Sequence, residues 1–205
     1  MTSKAEKILT SVFEELNLHT DESKYKNLYK IIETLELRNS AGTISVGTTG
    51  KITESFVEIA LKLSAENSFL PVTQKNFKWV GDFALLGIPF NVIVSVKSFS
   101  AKERLLVSGS GSTLAPTIGY GWFKNPKEFK NVHRLQSYKV RGFTSIYMPK
   151  KTFELLPFEA TDFKNLNGNP FLRLIENFPE DISKVMEPSK YFKTSSTRFA
   201  NPFKL

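Results

Sequence analysis

The chain has 205 residues with 28 Lys and Arg against 20 Asp and Glu, a formal net charge of +8, and no cysteine. One domain of that length buries about 70% of its unfolded surface, and a composition that is 40% hydrophobic and 23% charged excludes general disorder. The lack of cysteine excludes a disulfide scaffold, thiolate metal sites and a cysteine nucleophile.

Ser3-Lys4-Ala5-Glu6 has the form of a capping box, and Ala5, Ile8, Leu9, Val12, Phe13 and Leu16 then recur at helical spacing, which predicts an amphipathic helix over 4–16. A second helix is expected over about 24–37, with Leu28, Ile31, Ile32 and Leu35 inward. Ser40 to Gly50 is a Gly/Thr/Ser loop, and a third helix follows with Phe56, Val57, Ala60, Leu61 and Leu63 as its apolar stripe. From Phe77 the period changes. Phe77 to Leu86 and Asn91 to Phe99 are strand-like runs joined by the turn formers Gly87-Ile88-Pro89-Phe90. Ser108 to Tyr120 is another Gly/Ser/Pro-rich loop. Asn125-Pro126 is a helix start and Gly142 a helix stop, predicting a helix over 126–141. Phe143 to Met148 is a buried strand, and from 157 onward Pro157, Pro170, Pro179, Pro188 and Pro202 break the chain into short pieces. The elements predict an α/β fold with a central mixed sheet flanked by helices. It forms a single domain over 1–205, its core at about 40–150 and an irregular extension over 157–205 packed on that core or contacting DNA.

No apolar run approaches the ~20 residues that cross a bilayer, and the first residues carry no apolar core behind a basic start. A cytoplasmic protein without a membrane partner is the expectation.

The positive charge is concentrated. Residues 1–40 hold six basic and seven acidic residues, whereas 124–151 hold Lys124, Lys127, Lys130, Arg134, Lys139, Arg141, Lys150 and Lys151 against Glu128 alone. Lys190, Lys193, Arg198 and Lys204 are interleaved with Tyr191, Phe192, Phe199 and Phe203. Clustered cations bind a polyanion by releasing its counterions, and interleaved aromatics pack on sugars or bases. A solvated basic helix face is the simpler alternative for the same cluster.

Strand geometry sharpens the hairpin. In Asn91 to Lys97 the side chains alternate, so Val92, Val94 and Val96 share one face and Ile93, Ser95 and Lys97 the other. With Leu86 paired to Asn91, Asp82 falls opposite Ser95 and diagonal to Lys97, and diagonal neighbours ~7–8 Å apart at Cα are within reach of a lysine. A one-residue slip would separate the two. A carboxylate holding Mg²⁺ beside an ammonium suits phosphodiester hydrolysis; an ordinary cross-strand ion pair is the alternative.

Asp82, followed after the hairpin by Ser95-Val96-Lys97, resembles the PD-(D/E)xK nuclease core. Upstream, Gly42-Thr43-Ile44-Ser45 and Gly50-Lys51-Ile52-Thr53-Glu54-Ser55-Phe56-Val57 resemble the loop and first core helix of EcoRV-like type II restriction endonucleases. The resemblance spans roughly 40–148: a Glu-bearing helix, the Asp/Lys hairpin, a basic helix and a further strand. It implies Mg²⁺-dependent hydrolysis of double-stranded DNA at a short specific sequence. Asp82 would hold the metal, Lys97 would position or activate the attacking water, and Glu54, with Glu58 one turn later as the alternate, would complete the acidic set. Lys127, Lys130, Arg134, Lys139 and Arg141, with Ser110 and Ser112 of the Gly/Ser loop, would contact phosphates. A two-fold homodimer is implied, since one centre cuts one strand, with the first helices as dimer elements.

Two positions depart from the pattern. Gly81 stands where the family has proline. Ser95 stands in place of the acid of acid-x-Lys, which deletes a metal ligand. A subgroup with Ser-x-Lys takes its glutamate from the helix beyond, but that spacing lands near Ser110 and Gly111. Glu103 is the nearest downstream acid, and Glu54 or Glu58 could supply the ligand instead. A chain whose cleavage has eroded, leaving a DNA-binding protein on the same fold, is the alternative, as is a structure-selective repair or resolvase-type nuclease.

Other signals are weaker. Gly47-Thr48-Thr49-Gly50-Lys51 fails the P-loop pattern, because Ser45 occupies its first glycine and Ile52 replaces the metal-binding hydroxyl; a loop gripping the DNA backbone is the functional reading kept. His19 and His133 lack the neighbours of a zinc or HNH site, and Ser108 to Ser112 lacks the spacing of a nucleophile elbow. Trp79 and Trp122 are expected to be core or rim anchors.

Overall fold

A computed structural model of the chain describes residues 3–40, 44–65, 68–73, 80–87, 91–98 and 115–187. Four helices come first: α1 (Lys4–Glu15), α2 (Asp21–Lys26), α3 (Leu28–Ser40) and α4 (Val46–Ala65). The expected capping box of α1 is present, Ser3 N–H donating to Glu6 Oε2 at 2.5 Å and Glu6 N–H to Ser3 Oγ at 3.2 Å. The single helix expected over 24–37 is two. A second capping box on Thr20 pulls the start back to Asp21, and Asn27 leaves helical geometry, its side chain donating to Ser23 O at 2.9 Å.

The loop expected from Ser40 to Gly50 ends early, because α4 begins at Val46. Ser45 Oγ accepts from Thr48 N–H, and the hydroxyls of Thr49 and Thr53 donate to Ser45 O and Thr49 O. The threonines thereby satisfy their hydroxyls inside the helix, so a Gly/Thr-rich stretch stays helical with Thr48, Thr49 and Thr53 buried. Gly47 to Lys51 is thus the first turns of a helix and not a backbone-gripping loop.

The sheet runs in the order β1 (Phe69–Pro71), β2 (Phe83–Leu85), β3 (Val92–Lys97), β4 (Thr117–Gly121), β5 (Phe143–Met148), β6 (Leu172–Leu174). The pairs β1–β2 and β2–β3 are antiparallel, and β3 through β6 are parallel. The protein is therefore α/β, a six-strand mixed sheet flanked by helices. Strand β4 occupies the end of the stretch expected to be a loop from Ser108 to Tyr120; residues 108–114 lie outside the described residues.

Between β4 and β5 the helix expected over 126–141 divides into a 3₁₀ turn at Pro126–Glu128 and α5 (Val132–Val140). Each has its own asparagine cap: Asn125 accepts from Lys127 N–H at 2.9 Å and Asn131 from His133 N–H at 2.8 Å. Gly142, at φ 87°, ends the segment as expected. Then follow α6 (Lys150–Phe153), α7 (Phe158–Thr161), a 3₁₀ turn at Ile175–Asn177 and α8 (Phe178–Met186).

The two faces of the sheet bury separate cores. Val92, Val94, Val96, Ile118, Tyr120 and Tyr147 pack with α1 to α4 and α8, Trp122 among them at 1% exposure. On the other face Phe143, Ile146, Met148 and Leu172 meet Phe129, Leu135 and Tyr138 of the α5 segment. Helix α8 is fastened by the carboxylate of Asp181, which accepts from Tyr147 Oη and Arg173 Nη1, each at 2.8 Å. No helix among the described residues is long and apolar enough to cross a membrane.

Candidate active site

The hairpin has the expected register. Phe83 pairs with Val94, Ala84 with Ile93 and Leu85 with Val92, which sets Asp82 opposite Ser95. Asp82 is tied on both sides, its N–H donating to Val94 O at 2.9 Å and its carbonyl accepting from Val72 N–H at 2.8 Å. Gly81 permits that approach: a Cβ there would collide with Ile93 Cγ2 and lie 3.1 Å from Val94 O.

The side chains of Asp82 and Lys97 converge at the carboxyl end of β3. Asp82 Oδ2 accepts from Val96 N–H at 2.6 Å and lies 3.7 Å from Lys97 Nζ. The ammonium also donates to Ser95 Oγ at 3.1 Å and to Val96 O at 2.9 Å. Their side chains are only 11% and 17% exposed, and Ser95 is fully buried. The Val96 N–H, a main-chain donor fixing the carboxylate, carries no side-chain signature; only the register implies it.

The proposed second acid comes from α4. A short connection joins Ala65 to β1, so the carboxyl end of α4 lies near the amino end of β1 and β3. Glu54 stands about 16 Å up the helix from Ala65, and Lys97 about 16 Å along β3 from Val92. Glu54 is half-buried on α4, which packs against β3. Glu58 is committed elsewhere, to Lys62 at 3.0 Å. Among the described residues no group of three or more His, Asp or Glu is gathered as a metal site. The oxygens clustered around Lys97 Nζ are one carboxylate, one hydroxyl and one carbonyl. All three are directed at the Lys97 ammonium itself.

The basic residues separate into two groups. Strand β4 runs parallel to β3, with Gly121 beside Lys97, so the connection that follows it, bearing Lys124, Lys127 and Lys130, leaves the sheet at the Asp82–Lys97 end. Lys150 and Lys151, after β5, share that end. Arg134, in the first turn of α5, is partly buried beside Tyr138. Lys139 and Arg141 precede β5 and lie at the opposite end, separated by the ~17 Å rise of that strand. Lys139 is also engaged, donating to Lys164 O at 3.0 Å and standing 5.3 Å from the centroid of the Phe163 ring. The basic residues expected on one helix thus divide between the two ends of the sheet. Ser110, Ser112, Glu103, Trp79 and the basic-aromatic tail from Lys190 lie outside the described residues.

A cavity of about 210 Å³ also opens at the carboxyl ends of β4 and β5, lined among others by Tyr29, Glu36, Trp122, Lys124 and Lys151.

No family model matches the chain, and no curated protein and no solved structure matches it.

Proposed function

We propose that the chain is a Mg²⁺-dependent endodeoxyribonuclease of the PD-(D/E)xK type, a cytoplasmic homodimer that hydrolyses double-stranded DNA at a short specific sequence as type II restriction enzymes do. The observation that carries this reading is the convergence of Asp82 and Lys97, 3.7 Å apart at the ends of neighbouring strands. In support, the described elements follow the family's order: a helix bearing Glu54, the Asp/Lys hairpin, the basic α5 segment and the strand β5.

Asp82 would hold the metal together with a substrate phosphate, with Glu54 as the second acid. Bound there, Mg²⁺ would lower the pKa of a coordinated water and offset charge on the scissile phosphate. Lys97 would orient the attacking water and stabilise the charge developing on the phosphoryl oxygens, an electrostatic role favoured by its partial burial. Val96 N–H holds Asp82 still, so the carboxylate needs little rearrangement on substrate binding.

Purified protein with Mg²⁺ should cut duplex DNA into discrete fragments, and Lys97→Ala should bind DNA without cutting it. Uncut DNA across many sequences, with Mg²⁺ or Mn²⁺, overturns the enzyme reading. A second reading, a non-catalytic DNA-binding protein on the same fold, is favoured by Ser95, a fully buried hydroxyl where the motif has an acid. Preferential cleavage of branched over linear DNA would identify a repair or resolvase-type nuclease instead.

A further inference from the structure

Resting on the DNA reading above, we infer that the phosphate-gripping surface is the rim at the carboxyl ends of β4 and β5, carried by Lys127, Lys130 and Lys151, and not the carboxyl-terminal half of α5. Topology supplies the first reason. Strands β3, β4 and β5 are parallel, so the segments that follow them emerge together, beside Asp82 and Lys97. A duplex whose scissile phosphate reaches Lys97 runs past these segments. Lys139 and Arg141, a strand length away, face the other end.

The second reason is the state of the cations. Lys127, Lys130 and Lys151 are exposed, and among the described residues none makes an ion pair. Their neighbours are committed: Lys124 pairs with Glu36 at 3.3 Å and Lys150 with Glu154 at 3.7 Å. At the far end, Lys139 is held by Lys164 O and the Phe163 ring.

The third reason is the frame. The connection from β4 is pinned by two asparagine caps, by the buried ring of Phe129, and by Thr152 Oγ1 donating to Phe123 O. Lysines on an ordered frame lose less entropy on binding than lysines on a loose loop. Of the acids nearby, Glu36 and Glu154 are already paired and Glu128 is partly buried with Oε2 inaccessible, while Glu33 is exposed on the cavity that Lys151 also lines.

The test compares two surface variants, Lys127→Gln/Lys130→Gln/Lys151→Gln and Lys139→Gln/Arg141→Gln. Circular dichroism checks the fold of each. Binding to a mixed-sequence duplex is titrated against salt with Ca²⁺ in place of Mg²⁺, so that cleavage plays no part. The rim variant should weaken binding on the order of 10- to 100-fold and lower the slope of log K against log salt by about 3, one for each phosphate contact removed. The far-end variant should keep both affinity and slope. Loss confined to the far-end variant, or equal loss in both, overturns the rim assignment while DNA binding itself stands. A wild-type protein that binds no duplex at low salt overturns the rim assignment and the DNA reading together.

Discussion

The main-chain N–H of Val96 donates to Oδ2 of Asp82 at 2.6 Å, so one carboxylate both completes a strand pairing and faces Lys97. The two jobs separate by substitution. Asp82→Asn keeps an oxygen for the Val96 N–H but leaves the Lys97 ammonium without its counter-charge, so it should lose some stability, though less than Asp82→Ala, while cleavage falls to background. Asp82→Ala leaves a largely buried N–H without its partner and should cost about 1–3 kcal/mol in denaturant unfolding as well. Equal stability of the two variants would show that the carboxylate does not organise the hairpin.

Ser95→Asp restores the acid at the motif position. The new side chain enters a fully buried site, but Lys97 Nζ already points at the Ser95 hydroxyl from 3.1 Å, so the added carboxylate meets a counter-charge. The expected result is a folded protein with Mg²⁺-dependent cleavage raised, or present where the parent shows none. Tight DNA binding without cutting by either form supports the non-catalytic reading.

What the sequence could and could not reveal follows from the range of each cause. The α1 capping box and the hairpin register are local: Ser3 reaches Glu6, and the turn with its alternation fixes Asp82 against Ser95. Strand β4 is not local. In Thr117-Ile118-Gly119-Tyr120-Gly121 the glycines suggest a loop, yet a Cβ at Gly119 would lie 3.2 Å from Ile146 Cγ1 and 3.4 Å from Phe143 Cε1, and one at Gly121 would collide with the Phe123 ring. Gly119 makes room for side chains of β5, far along the chain, and Gly121 for the Phe123 ring two residues on. Missing β4 also hid the direction of the segment after it, and with it the division of the basic residues between two ends of the sheet. The split of the 126–141 helix is a competition between two caps, since Asn131 begins the α-helix while Asn125 begins only a 3₁₀ turn.

Asp181 gives a stability prediction independent of DNA. Its side chain is 10% exposed and that of Arg173 16%, and Tyr147 donates to the same oxygen as Arg173. Removing one member of a buried pair leaves its partner charge uncompensated, so Asp181→Ala should destabilise by about 3–5 kcal/mol and loosen α8 from β5 and β6. Tyr147→Phe removes only a neutral donor and should cost about 1 kcal/mol. Hydrogen exchange along α8, faster in Asp181→Ala than in Tyr147→Phe, checks the order; the reverse order would mean that the phenol dominates.

Behind the sheet, burial pushes the Tyr120 phenol up to about 12 and those of Tyr25 and Tyr147 well above their usual value. In the unfolded chain these phenols ionise near pH 10. Between pH 10 and about 12 the native state therefore keeps protons that the unfolded state has released, and stability falls as pH rises. Below pH 10 the contribution is fully present. For Tyr120 alone the two-unit difference corresponds to roughly 3 kcal/mol. The thermal midpoint should stay level on this account up to about pH 10 and then drop, with the phenolate absorbance of the buried tyrosines appearing together with unfolding. Tyr120→Phe should flatten part of that drop. If all six tyrosines titrate near pH 10 in a protein that stays folded, the phenols behind the sheet are open to water and the packing described for that face is wrong.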